Sequence, residues 1–153
     1  MKVGSLDTPA ELKARALKHL VRREHSRAEL ARKLAPFVES AEILEGVLRE
    51  LESRKQLSNE RFAEQRAHVL ARKYGAAKIR QDLKSRGIAA EVIDRISTEG
   101  ELERARAILQ RKYRDPVLTR EERARRARFL QGRGFSHEAI RRALDLAGDE
   151  ASL

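Results

Sequence analysis

Four histidines, His19, His25, His68 and His137, are the side chains best suited to carry protons near neutral pH. Their spacing argues against such a role. They are scattered along the chain, and no His-Glu-x-x-His pair sets two imidazoles on one helical face for a metal. No Gly-x-x-x-x-Gly-Lys loop is present to cradle a phosphate. Carboxylates are plentiful but stand beside basic residues, as in Glu45–Arg49 and Glu50–Arg54, where surface ion pairs four residues apart are expected. Raising a carboxyl pKa for acid catalysis needs apolar isolation instead. The absence of cysteine excludes disulfides and thiolate metal sites and suits a reducing compartment. The residues therefore point to no catalytic site, no metal and no cofactor.

What they can do is bind anions. Lys and Arg number 34 against 24 acidic residues, a net charge of +10 that attracts nucleic acid or an acidic protein surface. The charge is dense in RKYGAAKIRQDLK, residues 72–84. On a helix after Gly75, Ala76, Ile79 and Leu83 share one face, Lys78 lies nearly opposite, and Arg80 and Lys84 sit one turn apart on a flank. Arg72, Lys73, Lys78, Arg80 and Lys84 are the central contact candidates, with Arg125, Arg128, Arg133, Arg141 and Arg142 as a C-terminal set. A helix-turn-helix reader of the major groove, contacting DNA through Lys78, Arg80, Gln81 and Lys84, is the alternative. A surface that is mostly charge, however, positions a partner without selecting bases. Phe62, Tyr74, Tyr113, Phe129 and Phe135 are able to stack on bases. The helical stripes Phe62–Val69–Leu70–Tyr74 and Leu102–Leu109–Tyr113 favour core packing instead.

The elements that position these residues are helices, with no strand pattern. Nine are expected, near 9–24, 27–35, 41–55, 59–74, 76–86, 89–97, 100–114, 120–132 and 137–147. Thr8 with Glu11, Ser26 with Glu29 and Thr119 with Glu122 have the spacing of capping boxes, and Pro9 suits a first turn. Gly75, Gly87, Gly134 and Gly148 suit helix ends or tight connections. RDPVLT, residues 114–119, reads as a longer joint because Pro116 biases its neighbour away from helix. The N-terminus has no apolar core of signal-peptide length and no run spans a bilayer, so a cytoplasmic protein is expected.

A spacing recurs three times: Leu20, Ser26, Leu30, Leu34; Val69, Gly75, Ile79, Leu83; and Leu130, Ser136, Ile140, Leu144. Each set has an apolar residue, a turn residue six later, and apolar residues four and eight beyond that; Arg23, Arg72 and Arg133 also coincide. With 38% charged and 4% aromatic residues, the supply for one large core is thin. Stacked small layers suit it better, which makes an elongated all-α array. The expected boundaries are 8–57, 58–98 and 99–148 for three three-helix repeats, with a short acidic tail at 149–153.

These motifs resemble the RecX family of recombinase regulators. Residues 57–88, LSNERFAEQRAHVLARKYGAAKIRQDLKSRGI, look like its central motif. Residues 16–34 are similar to the opening motif through Ser26, Glu29, Leu30 and Leu34. Residues 126–144 resemble the closing motif through Phe129, Leu130, Arg133, Gly134, Phe135 and Ile140. Ser58 and Asn59 stand where many relatives carry acidic residues, and Tyr74 stands where several have a further glycine. The resemblance implies a curved chain of three tandem three-helix units. It further implies a non-enzymatic, monomeric partner of the RecA recombinase and of its filament on single-stranded DNA. Such a protein would lie in the filament groove and restrain ATP hydrolysis, strand exchange and co-protease activity in recombination and the damage response. Direct DNA binding would be weak and no membrane would be involved.

Overall fold

A computed structural model describes residues 5–97, 99–116 and 119–151, with side chains through Leu146. Among the described residues there are nine α-helices and no strand. They are α1 (Pro9–Arg22), α2 (Arg27–Leu34), α3 (Ala41–Ser53), α4 (Asn59–Leu70), α5 (Ala76–Ser85), α6 (Ala90–Asp94), α7 (Glu101–Lys112), α8 (Arg120–Gly132) and α9 (His137–Ala151). A 3-10 turn, Ala35–Phe37, follows α2 around Pro36 and was not foreseen from the pattern.

Helix starts follow local hydrogen-bond chemistry. Thr8 and Glu11 close a full capping box: the Glu11 amide donates to the Thr8 hydroxyl at 3.2 Å, and the Thr8 amide donates to the Glu11 carboxylate at 3.1 Å. Ser26 and Thr119 supply the hydroxyl half, accepting from the amides of Glu29 and Glu122. The expected return bond gives way to ion pairing. The Glu29 carboxylate goes to Arg23 and Arg86, and that of Glu122 to Arg125 and Arg126. Ser58 caps the start of α4 through the Arg61 amide, and the Asn59 side-chain carbonyl accepts from the amide of Arg27 at the start of α2. Both polar residues thus have structural work that a carboxylate is not needed for.

Several ends differ from expectation. The helix expected to reach residue 74 stops at Leu70. The amides of Arg72 and Lys73 bond three residues back, to Val69 and Leu70, which tightens the chain into a turn and frees the carbonyls of Arg72 and Lys73. The sixth helix spans only Ala90–Asp94, not 89–97. The last one continues through Gly148 to Ala151, so Gly148 does not end it. Val69 is 60% exposed and not part of a core stripe. The joint after α7 runs from Tyr113 to Thr119, and Val117 and Leu118 of it lie outside the described residues.

The chain packs as two units, Met1–Gln65 with Leu83–Asp94 and Arg66–Asp82 with Arg95–Leu153, so that α4 and α5 each begin in one and finish in the other. In the first, Leu12 and Ala16 of α1, Leu30 and Leu34 of α2, and Val47, Leu48 and Leu51 of α3 close on Leu57. In the second, Ala105, Ile108 and Leu109 of α7 meet Leu130 of α8, Phe135, and Ile140, Ala143 and Leu144 of α9. The recurring pairs Leu30–Leu34, Ile79–Leu83 and Ile140–Leu144 are all buried. Each such side chain contributes roughly 1.5–3 kcal/mol by leaving water.

Within the second unit, the turn before α5 meets the turn between α8 and α9. The Gly75 amide donates to the Arg133 carbonyl at 2.7 Å, and the Ala77 amide to the Gly134 carbonyl at 3.2 Å. A Cβ on Gly75 would stand 2.5 Å from the Gly134 oxygen and 2.6 Å from the Phe135 Cα. Gly134, at φ +88°, in turn lies against the backbone nitrogen of Lys78. Gly75→Ala is accordingly expected to destabilise the protein by about 1–3 kcal/mol, because backbone must move. Gly132→Ala, where a Cβ meets nothing within 4 Å, should be neutral or stabilising by up to about 1 kcal/mol. Urea denaturation of the two variants beside the parent measures this, and equal midpoints would refute the contact.

Candidate anion-binding cleft

The freed carbonyls at the end of α4 organise a basic cleft in the second unit. Arg111, in the last turn of α7, donates from Nη2 to the Arg72 carbonyl at 2.9 Å. Arg133, at the end of α8, donates from Nη1 to the Lys73 carbonyl at 3.5 Å. Its guanidinium also stands 5.3 Å from the Tyr74 ring centroid and 5.1 Å from that of Phe129. The Lys112 ammonium sits 4.4 Å over Phe129. Phe129 is steadied by an edge-on contact with Tyr113, on which the buried Arg126 stacks at 4.4 Å. The resulting cleft, of about 440 Å³, is lined by five cations (Arg72, Lys73, Arg111, Lys112 and Arg133) with Tyr74, Phe129 and Ile108. None of its lining residues is acidic, and no carboxylate among the described residues pairs with any of the five.

Cations of the first unit are arranged differently. Lys13 meets Glu50 at 2.8 Å, Arg15 meets Asp7 at 2.7 Å, and Arg61 meets Glu24 at 2.8 Å. Arg27 bridges Glu45 and Glu52, while Glu45–Arg49 and Glu50–Arg54 form the expected helical pairs at 3.6 and 3.4 Å. The hydrogen bond from Lys13 holds the Glu50 carboxyl below its ordinary range, and that from Arg15 does the same for Asp7. Pairs of this kind at or near the surface matter more for cancelling charge than for stability.

Of the residues singled out in the sequence, Arg72, Lys73 and Arg133 come together in the cleft. Lys78, Arg80 and Gln81 are exposed on α5, and Lys84, also exposed, belongs to the first unit. Arg125 pairs with Glu122 at 3.1 Å; Arg128, Arg141 and Arg142 are exposed and do not line the cleft. Arg111 and Lys112 escaped sequence reasoning, the only signal being two cations in the last turn of a helix that ends next to an aromatic residue. The start of α5, the end that a recognition helix presents to bases, is covered. The Ala76 amide donates to Glu101 of α7 at 3.3 Å, and the α8–α9 turn lies against Gly75 and Lys78.

Fold and cleft together define an all-α repeat protein whose concentrated free charge suits a binding role. Residues 58–95 match the family model of the second three-helix domain of RecX, and residues 99–144 that of the third. Regulatory protein RecX of Herbaspirillum seropedicae is 47% identical over 142 residues, covering 91% of this chain and 92% of that one. Its counterpart in Leptothrix cholodnii is 46% identical over 143 residues, covering 91% and 90%. The chain belongs to the RecX family of regulatory proteins. The crystal structure of RecX from Lactobacillus salivarius superimposes with a TM-score of 0.78 at 18% identity, over 90% of this chain and 97% of that one, a likeness of fold alone.

The histidines fall into packing roles or onto the surface. His68 and His137 are exposed. His25 is buried, with Nδ1 donating to the Arg23 carbonyl at 3.0 Å and Nε2 accepting from the Lys33 ammonium at 2.9 Å, which requires the neutral ring. The His19 ring lies 5.7 Å away. Burial pushes His25 below its ordinary 6.5, and the positive charges of Arg23 and Lys33 add to the push. Burial and then Lys33 lower His19 too. Among the described residues, no group of three or more His, Asp or Glu is placed to hold a metal. A lowered folded value means that the unfolded chain takes up protons first. Stability should be complete above about pH 7.5, fall as pH drops through 6.5, and level off only below the folded values. Urea midpoints between pH 8 and 5.5 test this: the double variant H19Q/H25Q should flatten the slope, and an unchanged slope would refute the assignment.

Proposed function

We propose that the protein is a non-enzymatic regulator of the RecA recombinase. It binds the recombinase and its filament on single-stranded DNA, lies in the filament groove, and inhibits ATP hydrolysis, strand exchange and co-protease activity. It acts in the cytoplasm as a monomer built of three repeats, 8–57, 58–98 and 99–148. Family membership supports the regulatory role. The observation that carries the binding surface is the set of five cations, without carboxylate partners among the described residues, gathered in one cleft. Charge left over after internal pairing is what an acidic or nucleic-acid-bearing partner can use. Inhibition requires tighter binding to a less active filament arrangement, because a ligand shifts an equilibrium only by its differential affinity for the two states. Several weak contacts along one chain raise avidity without any single strong one.

The alternative, an autonomous helix-turn-helix DNA reader, is opposed by the covered start of α5. The deciding experiment follows ATP hydrolysis by the recombinase on single-stranded DNA as purified protein is added. Inhibition at substoichiometric protein is expected. The triple charge reversal R72E/K73E/R111E should raise the concentration needed by about tenfold or more, equivalent to at least about 1.4 kcal/mol of binding, with helicity and melting temperature retained. Full inhibition by a folded triple variant would exclude the cleft as the contact surface. No inhibition by the parent protein, together with tight sequence-selective duplex binding, would overturn the regulator reading.

A further inference from the structure

We infer that the cleft formed by the end of α4, the end of α7 and the end of α8 is a binding site for linked phosphate groups, and that its ligand is a small polyphosphate such as a nucleoside triphosphate. Four features of the cleft favour that class. Its volume, about 440 Å³, lies in the range of small-molecule sites. It presents Arg72, Lys73, Arg111, Lys112 and Arg133 to one concavity with no acidic residue in the lining. Linked phosphates concentrate several negative charges within that width and accept bidentate guanidinium bonds.

The apolar lining, by contrast, is too small to anchor a short peptide by itself, whereas a larger protein surface can meet the cleft through charge. Ile108 is only 7% exposed, Arg133 stands near the rings of Tyr74 and Phe129, and Lys112 lies over Phe129. Peptide recognition draws on aromatic and apolar anchors seated in pockets, and base stacking needs free ring faces. Five cations over a small apolar lining suit a small, highly charged anion. Two of the five cations are also held in place before any ligand arrives. Arg111 and Arg133 are tethered to the carbonyls of Arg72 and Lys73, and neither bond cancels their charge.

The binding does not depend on regulation of the recombinase. On that reading it has one consequence, that an occupied cleft would be withheld from the protein partner. Tyr74 lines the cleft, and the chain has no tryptophan and only two tyrosines. The variant Y113F therefore leaves Tyr74 as the sole emitter. Its emission is followed, without magnesium, while sodium tripolyphosphate, ATP, AMP or a short oligothymidylate is added to separate samples. Saturable changes with tripolyphosphate and ATP, weaker with AMP, are expected. Affinity should fall by about tenfold or more in R72E/K112E, and in the milder R72Q/K112Q, whose melting temperatures report folding. A response to the oligothymidylate alone would overturn the inference and assign the cleft to a phosphodiester strand. No saturable response, or one unchanged in both folded variants, would also overturn it. With no recombinase in the sample, failure here leaves the regulatory proposal standing, and failure of the ATPase assay leaves this one.

Discussion

The second unit depends on how closely two turns approach, the one before α5 and the one between α8 and α9. At 2.5 Å from a hypothetical Cβ to a backbone oxygen, only glycine fits at position 75. That requirement removes something. The equivalent positions in the other two sets, Ser26 and Ser136, cap their helices with a hydroxyl, accepting from the amides of Glu29 and Ala139. Glycine has no such oxygen. At the start of α5 a different amide, that of Ala76, is met by Glu101 of α7, which also accepts from the Ser136 amide at 3.2 Å and its hydroxyl at 3.1 Å. One carboxylate thereby ties the starts of α5 and α9 to α7.

The same approach shapes the cleft. Because α4 ends in a tightened turn before Gly75, the carbonyls of Arg72 and Lys73 point to guanidiniums from α7 and α8 instead of continuing a helix. Net charge belongs to the whole chain and cannot say where a partner would find it. In the first unit, acidic residues on α2 and α3, with Asp7 and Glu24 on either side of α1, absorb much of the positive charge in ion pairs. Around the cleft no acidic residue does so among those described. Location, not total, distinguishes the two halves of the molecule.

What could be read from residues alone was mostly local. Helix starts were legible because Thr8, Ser26 and Thr119 act on amides three residues away. The buried pairs at four-residue spacing were legible because their period is that of the helix. Ends were less so: α4 is cut short by a contact 58 residues distant, between Gly75 and Arg133, and Val69 lost its place in a core with no local sign of it. The cleft was legible only in part. Arg72, Lys73 and Arg133 stood out through repeat spacing and charge, whereas Arg111 reaches Arg72 across 39 positions. Nothing in the composition of α7 marks its last turn as facing that carbonyl. The face that looked strongest, Lys78, Arg80 and Lys84 on α5, is exposed, and no partner among the described residues anchors it in that way.

That difference in anchoring has a physical weight. A free Lys or Arg side chain carries about 2 kcal/mol of rotamer entropy, part of which is lost whenever a partner fixes it. Arg133, stacked near Tyr74 and Phe129 and bonded to a carbonyl, has already given up much of that freedom on folding. Holding five cations together costs Coulomb energy, and a carboxylate would relieve it most simply while abolishing the site. Carbonyl dipoles and ring quadrupoles relieve it less, each cation–π contact by about 0.5–1 kcal/mol at an exposed position, but they leave the full charge available. The cleft is therefore stabilised by neutral partners, and it is this choice of partner, more than the number of arginines, that keeps the surface competent to bind an anion.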